Sequence, residues 1–318
     1  MSRSTSLLAP LYASAAIGGL FFLFAFIFFV PSPKAVYPIV FPVEGGSTVS
    51  QIANELHATG VLRSPFLFKL ATYVLSRNGV QRGMYYLGEP ASPVFLAYRM
   101  TKGLYGVEPI RFVVYEGETI EDIAKSCAIY IYRCTEEAFI AEAGGKEGYL
   151  FPDTYYLLPI ITPKELVTLL AETFKQKTDP LRAAIDTFGQ SFDDVVVMAS
   201  LIEREARTPE SRRLVSGILW KRIEIGMPLQ VDAAFNYVNG KTTYELTTED
   251  LRKDSPYNTY TNTGLPPGPI ANPGLDSLLA AIEPTPSPYL FYLTDRSGRF
   301  YFAKTHDEHV RNKARYLR

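Results

Sequence analysis

The apolar and polar positions fall into an N-terminal block and a long mixed remainder. No charged residue occurs over 7–30, and 18–30 is almost wholly Phe, Leu, Ile, Ala and Gly. About 20 such residues are enough for a helix to span the hydrocarbon core of a bilayer. The block stops at Pro31, Ser32, Pro33 and Lys34. A cleaved secretory signal would have a shorter apolar core and a small-residue cleavage site, and no A-x-A pattern follows Val30. The pattern predicts a cytoplasmic N-terminus at 1–6, a transmembrane anchor at 7–30 and a linker at 31–37. Arg3 and the α-amino group set the orientation, against Lys34 on the other flank. The remainder then lies outside the inner membrane.

Past the linker, period-2 and period-3.6 stretches alternate, which predicts an α+β fold. Two segments resemble each other. One runs Val43, Glu44, Gly45, Gly46, Ser47, Thr48, Val49, Ser50, Gln51, Ile52, Ala53; the other runs Tyr115, Glu116, Gly117, Glu118, Thr119, Ile120, Glu121, Asp122, Ile123, Ala124. Each reads as a strand, a glycine turn and a helix start. Thr48 with Gln51, and Thr119 with Asp122, have capping-box spacing. A strand is expected over 110–115, another over 82–87, and a short helix over 92–100. The stretch 144–158 carries Pro152 and Asp153 among aromatics and is expected to be irregular. It is the predicted joint between a small domain at 38–143 and a larger one at 144–318. Helices are expected over 163–175, 180–188 and 192–206, then one capped by Thr208 with Pro209 at its first position, ending near Gly226.

Composition narrows the function. With 47% hydrophobic residues among 318, the chain has ample material for a core, and a net charge of −1 gives no electrostatic footprint for nucleic acid. Cys127 and Cys134 suit a disulfide in an oxidising compartment or two buried thiols. His306 and His309 have helical spacing, but two ligands with no third make no zinc site. No metal or cofactor is expected.

The helix over 192–206 carries the candidate chemistry. It is apolar nearly all round, so it should be buried, and Asp193 is placed to cap it. Glu203 and Glu205 lie at its end. A carboxylate on a buried helix is costly unless paired or protonated, and that cost can lift its pKa toward that of a general acid. The other reading is structural: Arg204, Arg207, Arg212 or Arg213 neutralises the pair. Two residues apart on a helix, the two acids point roughly 200° from each other. That makes them a poor hydrolase pair across one bond.

The end of this helix is one of five segments that occur in a fixed order. Glu147-Gly148-Tyr149-Leu150-Phe151-Pro152-Asp153-Thr154-Tyr155 comes first, then Ala199 to Glu205 (ASLIERE), Leu229-Gln230-Val231-Asp232, Tyr257-Asn258-Thr259-Tyr260 and Gly264-Leu265-Pro266-Pro267-Gly268-Pro269-Ile270. Together they resemble the MltG/YceG family of endolytic murein transglycosylases, over nearly all the chain after the anchor. The two strand–turn–helix units resemble LysM-type glycan-binding modules, which implies a LysM-like domain at 38–143 and a catalytic α+β domain at 144–318. The resemblance implies that Glu203 is the catalytic acid/base, with Arg204 where the family often has Lys. It also implies that Gln230, Asp232, Asn258, Thr259, Tyr260 and Glu205 belong to the cleft, the role of Glu205 being open. The implied reaction cuts the bond between N-acetylmuramic acid and N-acetylglucosamine within a strand and leaves a 1,6-anhydro end. The implied partners are peptidoglycan strands, the membrane and peptidoglycan synthases. The competing expectations are a glycan-binding scaffold without turnover and a hydrolase that uses water.

Overall fold

A computed structural model describes residues 12, 14, 17–19, 31–32, 34–132, 134–241 and 245–317. The expected anchor at 7–30 thus lies largely outside the described residues. Among those described, no helix is long and apolar enough to cross a membrane. The chain is a mixed α+β protein that divides into two compact units. The smaller unit covers 1–110 and 158–160, and the larger covers 111–157 and 161–318. The second strand–turn–helix segment therefore belongs to the larger unit, whereas the sequence pattern puts the joint at 143/144.

In the smaller unit, β1 (Ile39–Val43) pairs antiparallel with β2 (Gly83–Leu87), with Phe41 opposite Tyr85. Three helices complete it: α1 (Val49–Ala58), α2 (Pro65–Leu75) and α3 (Pro93–Thr101). The Thr48–Gln51 capping box forms at α1, satisfying two backbone donors that a helix start leaves open. The core gathers Phe41, Ile52, Leu56, Phe68, Tyr85, Leu96 and Met100. Tyr85 keeps its hydroxyl in this core by donating to the carbonyls of Gln81 and Met100. The expected linker is packed against this unit: Ser32 is buried, and Arg63 donates from Nε and Nη2 to the Pro31 carbonyl at 3.2 and 3.1 Å.

The larger unit begins with β3 (Ile110–Val113), paired with β4 (Thr154–Leu157). β4 sits inside the stretch expected to be irregular. It starts directly after Pro152 and Asp153, so the breaker residues precede the strand rather than interrupt it. Between these strands lie α4 (Ile120–Tyr130), with the Thr119–Asp122 capping box, and α5 (Glu136–Ala143). The Cys127–Cys134 disulfide joins α4 to the loop before α5. Then come α6 (Pro163–Thr178), α7 (Arg182–Phe188), α8 (Phe192–Glu205), α9 (Pro209–Glu224), α10 (Ala233–Asn239) and α11 (Leu275–Ile282). The hairpin β5 (Phe291–Thr294) and β6 (Phe300–Ala303) and the helix α12 (His306–Tyr316) close the chain.

α8 is the axis of this unit. Every position over 195–202 is buried, against α9, α11 and the aromatic edge of α6. Burying a Leu, Ile or Val side chain contributes about 1.5–3 kcal/mol relative to exposure. Its N-cap is Ser191, which accepts from the Asp194 N–H; the Asp193 expected there instead accepts a hydrogen bond from the Tyr149 hydroxyl. A cap residue must have extended backbone, and Ser191 does at φ −66° and ψ 154°, while Asp193 is already inside the first turn.

Candidate active site

The last turn of α8 carries Glu203 and Glu205, and the Pro/Gly loop is fastened to the middle of the helix. Ser200 is fully buried; it donates to the Val197 carbonyl and accepts from the Ile270 N–H at 3.1 Å. Gly148, at φ +84°, lets its own loop close on Pro269, since a Cβ there would lie 2.5 Å from the proline ring. Two of the sequence motifs are thus packed together beside α8.

Asn272 ties the end of this loop to the turn before α4. Its Nδ2 donates to the Glu118 carbonyl at 2.9 Å and to Glu147 Oε1 at 3.1 Å, and its Oδ1 accepts from the Leu150 N–H. Its backbone N–H donates to the Glu118 carbonyl, and its carbonyl accepts from the Gly117 N–H. The 116–118 turn and the 272–274 segment are therefore held side by side. Gly274 then donates its N–H to Glu203 Oε2 at 2.9 Å.

The other oxygen of Glu203 accepts from Arg212 Nη2, on α9, at 2.5 Å. Arg212 is itself buried. Its Nε donates to the Ala206 carbonyl, Nη2 lies 3.3 Å from Glu116 Oε2, and Nη1 lies 3.7 Å from Asp276 Oδ2. Side-chain exposure is 4% for Glu203 and 8% for Arg212, against 50% for Glu116 and 55% for Asp276. One guanidinium thus serves three carboxylates, of which only Glu203 is largely withdrawn from water. Burial pushes the Glu203 pKa up. The Gly274 N–H and Arg212 pull it back, Glu116 adds to the rise, and the net direction is upward. Arg204, next to Glu203, turns outward and donates to the Gly117 carbonyl.

Glu205 has a separate set of partners, as its position on the helix requires. Tyr292 of β5 donates its hydroxyl to Glu205 Oε2 at 2.9 Å. Burial pushes the Glu205 carboxyl up to about 7, with Asp232 raising it and Tyr292, Arg222 and the Ala233 N–H opposing. Tyr260 donates to Asp232 Oδ1, and burial with that contact drives its own pKa far above the phenol range. Thr259 binds the 230–232 segment: Gln230 N–H donates to its carbonyl, and Val231 N–H donates to its Oγ1. Gln230 adopts φ +51°. Asn258 is buried, donates to the carbonyls of Leu251 and Lys253, and accepts from the Tyr260 N–H.

The expected site residues therefore fall in two groups. Gln230, Asp232, Asn258, Thr259 and Tyr260 gather on the Glu205 side of α8, while Glu203 takes Arg212 and Gly274. Arg212 is one of the four arginines that the sequence offers as neutralisers of the pair, and its place three residues before Val215, on the inner face of α9, is the signal for it. Glu116, Asp276 and Asn272 carry no such signal. Glu147 stands out in the sequence only as part of a motif. Burial pushes its carboxyl up to about 7, against hydrogen bonds from the N–H groups of Ile120 and Gly148, and its charge is felt by Tyr237 and Tyr257, whose ring centres are 5.4 Å apart.

The arrangement can hold a proton on Glu203 and exchange it. With all three carboxylates ionised, the four groups carry a charge of −2, which one proton relieves.

A family model described as the YceG-like family matches residues 41–315. A Bacillus subtilis (strain 168) protein named "Endolytic murein transglycosylase" is 30% identical, with 86% of this chain and 84% of that protein covered. A protein of the same name from Streptococcus pneumoniae serotype 2 (strain D39) is 27% identical over 86% of this chain, which spans 57% of that protein's length. Among solved structures, a yceG-like protein from Listeria monocytogenes is similar at a TM-score of 0.60 and 27% identity, covering 86% of this chain and 99% of that one.

Proposed function

Because the chain belongs to the YceG-like family, we propose that it is a lytic transglycosylase that cuts peptidoglycan strands internally, with Glu203 as its acid/base. The names of the Bacillus and pneumococcal relatives support the substrate class. The observation that carries the reading is a buried carboxyl with a raised pKa on a rigid helix, sharing one guanidinium with two solvent-facing acids.

Glu203, protonated, gives its proton to the glycosidic oxygen between N-acetylmuramic acid and N-acetylglucosamine. While Glu203 is neutral, Arg212 still has Glu116 and Asp276 as counter-ions. Once Glu203 is ionised, the guanidinium and the Gly274 N–H stabilise it. The carboxylate then takes the proton of the muramyl 6-hydroxyl as that oxygen attacks the anomeric carbon. The proton returns to Glu203, a 1,6-anhydro ring closes and no water is consumed. A single carboxyl completes this cycle, where ordinary glycosidases need two. Asp232 and Tyr260 with Glu205, and Gln230 held by Thr259, with Asn258 bracing the 258–260 turn, shape the saccharide groove on this reading.

In the same reading, the segment 7–30 anchors the enzyme in the inner membrane with 1–6 in the cytoplasm. The remainder works on nascent strands on the outer side, beside peptidoglycan synthases. The LysM-like part, 38–143, would contact glycan.

The test is digestion of purified glycan strands by the wild type and Glu203→Gln, with products weighed by mass spectrometry. Loss of a general acid/base should cost roughly 10²–10⁴ in rate. Anhydro-ended fragments that persist at an unchanged rate in the variant overturn the assignment. A hydrolase keeps one specific observation in its favour, since Glu116 and Asp276 at Arg212 could supply a second carboxyl. Its product ends would be heavier by one water.

A further inference from the structure

Helix α2 of the smaller unit is apolar on both faces. Leu67, Phe68 and Thr72 face the core at 0–4% exposure, while Phe66, Leu70, Tyr73 and Val74 stand in solvent at 65%, 45%, 85% and 77%. Spacings of four, three and one put these four on a single stripe of the helix. A helix on a soluble surface usually shows charged residues there, and a contiguous exposed apolar stripe marks a binding face.

Two observations say what covers it. The first is where the chain enters. Arg63, two residues before α2, holds the Pro31 carbonyl with both Nε and Nη2. A Cβ on Gly60 would come within 3.2 Å of Lys34, so the entering chain also lies against the turn that leads into α2. Pro31, the residue that follows the apolar run in sequence, is therefore held by the side chain of Arg63, three residues before the stripe begins at Phe66. The second is charge. Residues 56–88 contain Arg63, Lys69, Arg77 and Arg82 and no Asp or Glu. A helix with Phe, Leu and Tyr on its outer face and basic residues around it suits the boundary of an anionic bilayer, where the apolar groups enter the acyl layer and the cations meet headgroups.

We propose that α2 is a membrane-contact helix, its Phe66, Leu70, Tyr73 and Val74 stripe seated in the surface of an anionic lipid bilayer beside the point where the chain leaves it. This rests on reading 7–30 as the anchor and adds a second attachment to it. The smaller unit is then held flat on the bilayer rather than swinging on a tether.

The full chain is reconstituted into vesicles of phosphatidylcholine and phosphatidylglycerol, with and without brominated acyl chains, as wild type and as Tyr73→Trp. Tyr73 is exposed, so the new indole disturbs no packing, and the wild type supplies the Trp220 background. Flotation of the vesicles reads the anchor independently. The expected result is blue-shifted emission from the residue 73 indole, quenched by brominated lipid, with the quenching reduced by Lys69→Glu combined with Arg77→Glu. Chains that float without quenching at residue 73 overturn the membrane-contact helix and leave the anchor standing. A blue shift without bromine quenching overturns it in favour of a protein partner or a second copy. Chains that neither float nor quench overturn both readings.

Discussion

Glu205→Gln tests how burial is distributed around α8. The wild-type carboxyl is pushed from 4.5 up to about 7, first by desolvation and further by Asp232, against the Tyr292 hydroxyl. A folded-state pKa above the unfolded value means that the folded form holds the proton more tightly. The stabilisation is then fully present below about pH 4.5 and is lost as the pH rises toward 7. A shift of this size corresponds to about 3 kcal/mol. Glutamine keeps an oxygen to accept from Tyr292 and has nothing to ionise. The variant should match the wild type near pH 4.5 and exceed it by about 3 kcal/mol at pH 8. Urea unfolding followed through Trp220, the single tryptophan, reads this directly, because its ring packs on Phe188 at 5.7 Å and its Nε1 donates to the Ala281 carbonyl in the same unit. Glu147, also lifted to about 7, titrates in both proteins and cancels in the difference. A difference between variant and wild type that does not change from pH 4.5 to 8 would refute the reasoning.

Arg212→Met removes the cation from a buried carboxylate, a loss of about 3–5 kcal/mol at pH 8. The loss should shrink as the pH is lowered, because Glu203, its pKa raised by burial, can then take a proton instead, and thermal unfolding across a falling pH series checks it. Two glycine substitutions should part company in the same assay. Gly217→Ala drives a Cβ to 2.1 Å from the Thr285 carbonyl, a backbone atom that cannot swing away, and should destabilise by about 1–3 kcal/mol. Gly274→Ala meets the half-exposed side chain of Glu116, from its carboxyl back to Cγ, rather than backbone; that side chain can rotate toward water, so stability should fall less than for Gly217→Ala even though Glu116 leaves Arg212.

What could be read along the chain was local chemistry. The capping boxes at Thr48 and Thr119, and the Thr208–Pro209 start of α9, formed where the spacing put them, because each is decided within four residues. The YceG-like membership was legible from the order of the motifs. The Asp193 cap and the irregular 144–158 stretch were misread at the scale of one or two residues: Ser191 has the extended backbone a cap needs, and Pro152 ends just before β4. The joint at 143/144 rested on the composition of that stretch, but contacts follow β3–β4 pairing, and this carries 111–157 into the larger unit. The surroundings of Glu203 were out of reach for another reason. Glu116 and Gly274 lie 87 and 71 positions from it, and no periodicity links residues at such separations.

The burial that builds the core of the larger unit also sets the chemistry at its edge. α8 is enclosed from 195 to 202 and apolar there but for the hydrogen-bonded Ser200, and its last turn inherits that enclosure before the chain reaches water at Arg204 and Arg207. Both acids in that turn are therefore desolvated, and both are lifted. They differ in what the neighbouring elements supply. α9 and the start of α11 offer Glu203 a guanidinium and a backbone N–H, which stabilise a negative charge whenever one appears. β5 offers Glu205 a tyrosine hydroxyl, with Asp232 close enough to oppose its ionisation. A group that must give up a proton and take one back needs its charged form supported, and of the two only Glu203 has that support within hydrogen-bond distance of a full positive charge. The helix thus separates the two carboxyls by separating their partners, and on the function proposed above, one acid working alone follows from the geometry of a single turn.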